Sequence, residues 1–163
     1  MKSVGDVDAG GLEHWLQRLG LSIAIVPDRV AIPGTYWGEP EAGIVGTTVY
    51  ASATTPLHSL LHEASHILMH APTVRHRLLT DAGGTDPVEE SVCALQLALA
   101  DTLPGYSAQR CLGDMDSWGY SFRQGSAVAW YSEDAPIARR RWPDHVRALI
   151  ERVSALENVA ASH

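Results

Sequence analysis

Hydrophobic positions along the chain follow two spacings, and each marks a different kind of element. Leu12, Trp15, Leu16 and Leu19 recur at three- and four-residue steps before Gly20, which predicts an amphipathic helix over 9–20 with a glycine stop. "LSIAIVPD" is a continuous apolar run of strand length, closed by Pro27-Asp28. Between Thr35 and Tyr50, aromatic, Val and Thr residues broken at Gly38-Glu39-Pro40 predict two further strands joined by a turn, the second over 43–52. Helical spacing returns after Thr54-Thr55-Pro56, which supply a cap and a first-turn proline. Leu57, Leu60, Leu61, Ala64, Ile67 and Leu68 carry that helix to about His70. The next helix is predicted from Pro87 to Asp101, with Asp86 as its cap and Glu89 three residues later in the capping-box position. "DMDSWGYSFRQGSAVAWYSEDA" mixes polar and aromatic residues without a period, and Val146, Leu149, Ile150 and Val153 give 136–156 a helical one, with a break at Trp142-Pro143. A helix, then short strands, then only helices is an α+β plan with a small, mostly antiparallel sheet.

A chain of 163 residues, 45% hydrophobic, is long enough for one well-buried core and too short for two ordinary domains, so one domain over 1–163 is expected. The net charge of −7 argues against a nucleic-acid partner, because phosphate binding needs a basic face. Arg139-Arg140-Arg141 reads as the solvated side of a late helix. The start "MKSVGDVDAG" lacks the apolar stretch of a signal peptide and no segment reaches the length of a membrane span, so a cytoplasmic protein with no membrane partner is expected. Cys93 and Cys111 form neither a disulfide framework nor a C-x-x-C pair and read as reduced, partly buried thiols.

Four ionisable residues interrupt the apolar run "LLHEASHILMH", and within it His62-Glu63-Ala64-Ser65-His66 reads H-E-x-x-H. On a helix this spacing sets two imidazoles one turn apart on one face, where their nitrogens can share a zinc ion. Glu63, beside the first histidine, is then placed as general base for a water that the metal activates. The bland alternative is a histidine-striped solvated helix, since His58, His62, His66 and His70 all recur at four-residue steps.

His70 lies eight residues from His62, about 12 Å along a straight helix, and cannot join it on one ion. The pattern H-E-x-x-H-x-x-G-x-x-H would need Gly at 69 and His at 72, where this chain has Met69 and Pro72. A carboxylate from the following helix remains, giving two histidines and a glutamate with one position open. Glu89 already has a capping role to explain it, whereas Glu90 lies above the small and apolar Cys93, Ala94 and Leu97; Glu90 is preferred and Glu89 is the alternative.

These residues resemble the ImmA/IrrE-like zinc metallopeptidases, a gluzincin-type family, over about Leu12 to Asp101. "LHSLLHEASHILMH" is similar to the family's active-site helix, and "EESVCALQLALAD" to its glutamate helix, whose glutamate falls on Glu90, with Val92, Ala94 and Asp101 standing where the family has Asn, Phe and Pro. The resemblance implies His62, His66 and Glu90 as zinc ligands and Glu63 as the catalytic acid/base. It also implies a protein or peptide substrate, often a regulatory protein such as a repressor, cut in the cytoplasm.

Tyr120 or Arg123 in "WGYSFRQG" could donate to the developing oxyanion; the plainer reading is an aromatic segment beside the core with Arg123 in an ion pair. Asp114 and Asp116 read as turn residues, because their D-x-D lacks the remainder of a calcium loop. "GIVGTTVYAS" is a candidate sheet edge for an added peptide strand, and Asp81-Ala82-Gly83-Gly84 a loop between the two metal-bearing helices. The expected function is zinc-dependent peptide hydrolysis. The alternatives are a metal-binding regulatory protein without activity, its fourth position closed by a side chain such as Asp81 or His58, and a metal-free interaction domain.

Overall fold

The computed structural model describes residues 1–35, 40–79 and 86–161, with side chains to 156. The expected breaks at Gly38-Glu39 and the Asp81–Gly84 loop lie outside the described residues. Within them the chain is α+β, with seven α-helices and one three-stranded sheet.

Helix α1 spans Ala9–Arg18, where the expected period ends. Asp8 caps it by accepting from the Gly11 amide at 2.7 Å, and Gly20 turns the chain out at φ 79°. Strand β1 is Ser22–Ile25. The second expected strand divides at Gly46-Thr47 into β2, Gly43–Val45, and β3, Thr48–Ala51, because a glycine at φ 62° makes a two-residue hairpin there. β3 then lies in the middle of the sheet, antiparallel to β2 and parallel to β1 (Ser22 opposite Thr48, Ile25 opposite Ala51). The expectation of a mostly antiparallel sheet is corrected to a mixed one. β2 runs opposite to β1, and the hairpin after it turns β3 back into the direction of β1.

On its outer side β2 is not open. The Ile44 amide donates to the Gly34 carbonyl at 3.2 Å and the Gly46 amide to that of Leu78 at 2.6 Å. Gly34 and Gly43 permit this approach: a Cβ on either would run into the backbone of the facing segment, and Gly34 also holds φ 71°.

Helix α2, Leu57–Met69, is buried on nearly every side, which is why apolar residues occupy more than one of its faces. Its last carbonyls are met from outside: Arg75 donates to Leu68 and His70, and His145 contacts Leu68 as well. Helix α3, Asp86–Ala100, packs along α2. Beyond it the unpatterned stretch holds two helices that periodicity did not announce: α4, Ala108–Trp118, capped by Ser107 and ended by Gly119 at φ 101°, and α5, Ala127–Glu133, capped by Ser126. Asp114 and Asp116 therefore belong to a helix and not to a turn. Asp114 accepts from the Tyr106 hydroxyl and the Lys2 amide, and Asp116 from the Ala127 amide that opens α5. Helices α6, Ala135–Arg139, and α7, Asp144–Ala161, fall on either side of the expected break at Trp142-Pro143.

One hydrophobic cluster runs from Val4 to Val153 and includes Trp15, Leu60, Leu61, Leu95, Leu97 and Trp130. Burial of each such large side chain contributes roughly 1.5–3 kcal/mol. Trp15 stays satisfied in this core because its indole N–H donates to Thr102 Oγ1 at 3.0 Å. Among the described residues no helix is long and apolar enough to cross a membrane.

Candidate metal centre

Leu57, Leu60, Leu61, Ala64, Ile67 and Leu68 lock α2 into the core, which turns its remaining face toward α3. His62 and His66 stand on that face one turn apart, with ring centroids 4.8 Å apart and Nε2 atoms 3.2 Å apart. Glu89, in the first turn of α3, reaches both: one carboxylate oxygen is 3.3 Å from His62 Nε2 and the other 3.2 Å from His66 Nε2. These three form the cluster of potential metal ligands among the described residues.

The carboxylate that converges with the two histidines is thus Glu89, not the preferred Glu90. Helical phase explains the difference. Glu89, Cys93 and Gln96 stand at i, i+4 and i+7, and Gln96 touches both His58 and His62, so this stripe faces α2. Glu90 is turned about 100° from it and lines the same cleft without joining the cluster. Glu89 stands in the first turn of α3, which begins at Asp86, and its carboxylate is turned to the two histidines.

Two neutral imidazoles cannot leave bare lone pairs facing each other at 3.2 Å without a proton or cation between them. Ligands about 2.0–2.1 Å from a tetrahedral ion lie about 3.3 Å from one another. The two histidines and the glutamate have that spacing already. Their charges agree. Burial opposes ionisation of Glu89, but its hydrogen bonds from His62 and His66 outweigh this and hold its pKa far below the usual carboxylate range. Burial likewise opposes a charge on His62, yet Tyr120, Cys93 and Glu89 raise its pKa well above the usual imidazole value.

The site opens into a cleft of about 780 Å³. Glu63, 9% exposed, lines it beside His62, and Tyr120, Trp118 and Arg123 come from the far side. Tyr120 follows the glycine that ends α4; its ring stands edge-on to His62 at 6.0 Å and stacks toward Phe122, which stacks on Trp130. The Tyr120 hydroxyl meets His58 Nδ1 at 3.1 Å. His58 is buried, and burial lowers its pKa to about 4, so it is neutral at pH 7. It stands against Tyr120 and Trp118, apart from the cluster. Arg123 takes the plainer of its two expected roles, an ion pair with Asp134 at 3.0 Å, and Gln124 donates to the same oxygen.

Sequence reading missed Gln96 as part of this site, and weighed His58 only as a fourth metal ligand, whereas it stands against Tyr120 and Trp118. A glutamine within "CALQLALA", two turns after Glu89, was the available signal. Cys93 and Cys111 are both free and buried, and burial pushes the Cys111 thiol up to about 12.

Comparison with protein families, curated proteins and solved structures finds no match to this chain.

Proposed function

We propose that this protein is a zinc-dependent peptidase whose metal is held by His62, His66 and Glu89. The observation that carries the reading is the convergence of these three donors at 3.2–3.3 Å beside a buried glutamate in an open cleft. The chemistry that zinc supplies when bound there is that of a Lewis acid, acidifying a water and polarising a carbonyl. Glu63 takes the proton of the attacking water and delivers it to the leaving amine, so that the C–N bond breaks with no net change in the enzyme's protonation.

Tyr120 is the oxyanion donor in this reading. His58 Nδ1 lies 3.1 Å from the Tyr120 oxygen, and with its proton on Nδ1 it donates to that oxygen. The phenol then keeps its own proton for the carbonyl oxygen in the transition state.

The resemblance of "LLHEASHILMH" and "EESVCALQLALAD" to the ImmA/IrrE-like metallopeptidases supports the reading for His62, His66 and Glu63, while its glutamate falls on Glu90 and not on Glu89. It extends it to a protein or peptide substrate, with a regulatory protein cut in the cytoplasm as the form it takes there. Metal content and peptide hydrolysis test the proposal together. The wild type and Glu90→Ala should carry about one zinc per chain and Glu89→Ala should lose it, while Glu63→Gln should keep the zinc and lose at least about 100-fold in turnover. A wild type that takes up no zinc, or a Glu63→Gln variant as active as the wild type, would refute it.

A further inference from the structure

Gln96 is fully buried on α3, and its amide meets His58, His62 and Cys111 and also bears on Tyr120. Nε2 lies 2.8 Å from the His58 carbonyl oxygen and 3.8 Å from Cys111 Sγ; Oε1 lies 3.1 Å from His62 Nδ1. These contacts fix the direction of every proton between them. A carbonyl has no proton to give, so the 2.8 Å contact requires an N–H from Gln96, and a flipped amide would set two acceptors against each other at that distance. The Cys111 thiol beside it lies on the same donor side. Oε1, which can only accept, therefore faces His62, and His62 Nδ1 must carry the proton. A neutral imidazole has one such proton, so when His62 gives up the Nε2 proton it shares with Glu89, the Nε2 lone pair is left free for a metal.

We infer that Gln96 is a positioning residue that holds His62 in the Nδ1–H tautomer with its Nε2 lone pair aimed at the metal, an inference that rests on the metal reading above. The bond to His58 makes the hold firm. His58 stands one turn before His62 on α2, so a single amide ties α3 both to the histidine ring and to the backbone turn that carries it. Glu89 lies two turns earlier on the same face of α3, and the clamp thereby sets the separation of all three donors. An amide does this without charge. A carboxylate at 96 would keep the acceptor for His62 Nδ1 and lose only the donor to the His58 carbonyl.

Zinc titration against a competing chelator, the visible spectrum of the cobalt(II)-substituted protein, and nitrogen NMR of the histidine rings test this in the full chain. Gln96→Leu should weaken zinc about 10–100-fold, alter the cobalt spectrum and mix the His62 tautomers, while Gln96→Glu, which restores an acceptor, should recover much of the affinity. A Gln96→Leu protein that binds zinc within about threefold of wild type overturns the inference. So does a wild-type His62 with a bare Nδ1, which stays measurable if the leucine variant fails to fold. A wild type that binds no zinc but keeps the His62 proton on Nδ1 would retire the metal reading while leaving the hold of Gln96 on the imidazole established.

Discussion

Acid should destabilise this protein through His58 in a calculable way. His58 is 1% exposed, its Nδ1 bonded to Tyr120 and its ring against Trp118 and Tyr120, and burial lowers its pKa from 6.5 to about 4, with Asp114 raising it and His62 lowering it. The unfolded chain takes up a proton here as pH falls through 6.5, whereas the folded protein does not until about 4. In that window the unfolded state binds more protons, so stability drops as pH drops, and the loss is complete near pH 4. The separation of about 2.5 pH units, at about 1.36 kcal/mol each, amounts to about 3 kcal/mol from this one residue. Urea unfolding of wild type and His58→Phe across pH 7 to 4 isolates it, because shared titrations cancel in the difference. The difference should change by about 3 kcal/mol toward the variant as pH falls. Two curves that run parallel over the window would refute the assignment of a buried, neutral His58.

Two further substitutions probe the frame around the site. Thr102→Val removes the acceptor of the buried Trp15 indole and should cost about 1–3 kcal/mol, or several degrees in a thermal melt, while Thr102→Ser stays near wild type. Gly34→Ala meets the Ile44 backbone from a φ of 71° and should destabilise by at least about 1 kcal/mol; an unchanged melting temperature would mean that this crossing is looser than described.

Much of the helical framework was legible in the pattern of residues. Helices α1 and α2 end close to where their periods end, α1 before Gly20 and α2 at His70, because each has an apolar face that only a core can satisfy. The sheet was legible as strands but not as a sheet: period and turn residues mark β2 and β3, whereas β1 pairs in parallel with β3 across 22 intervening residues, a pairing that no local signal encodes. Helix α4 escaped notice because Arg110, Gly113 and Asp114 dilute its apolar stripe and its stability comes from Ser107 and from contacts with α3 and α5. At the site, His62, Glu63 and His66 follow from spacing alone. The choice between Glu89 and Glu90 does not, since adjacent residues differ only in helical phase, and phase is set by which face of α3 meets α2. Gln96 would have settled it: a buried amide on the Glu89 stripe marks the face turned toward the histidines.

The closed outer side of β2 bears on how the molecule meets other chains. A strand at the rim of a sheet ordinarily offers its amides as a template, and polymerisation through such rims is a common fate of small sheets. Here the outward amide of Ile44 is already engaged by Gly34, and that of Gly46 by Leu78. A second copy would have to displace a segment of the same chain before it could pair along this rim, which makes the Gly34–Gly43 crossing a guard against self-assembly as well as a part of the fold.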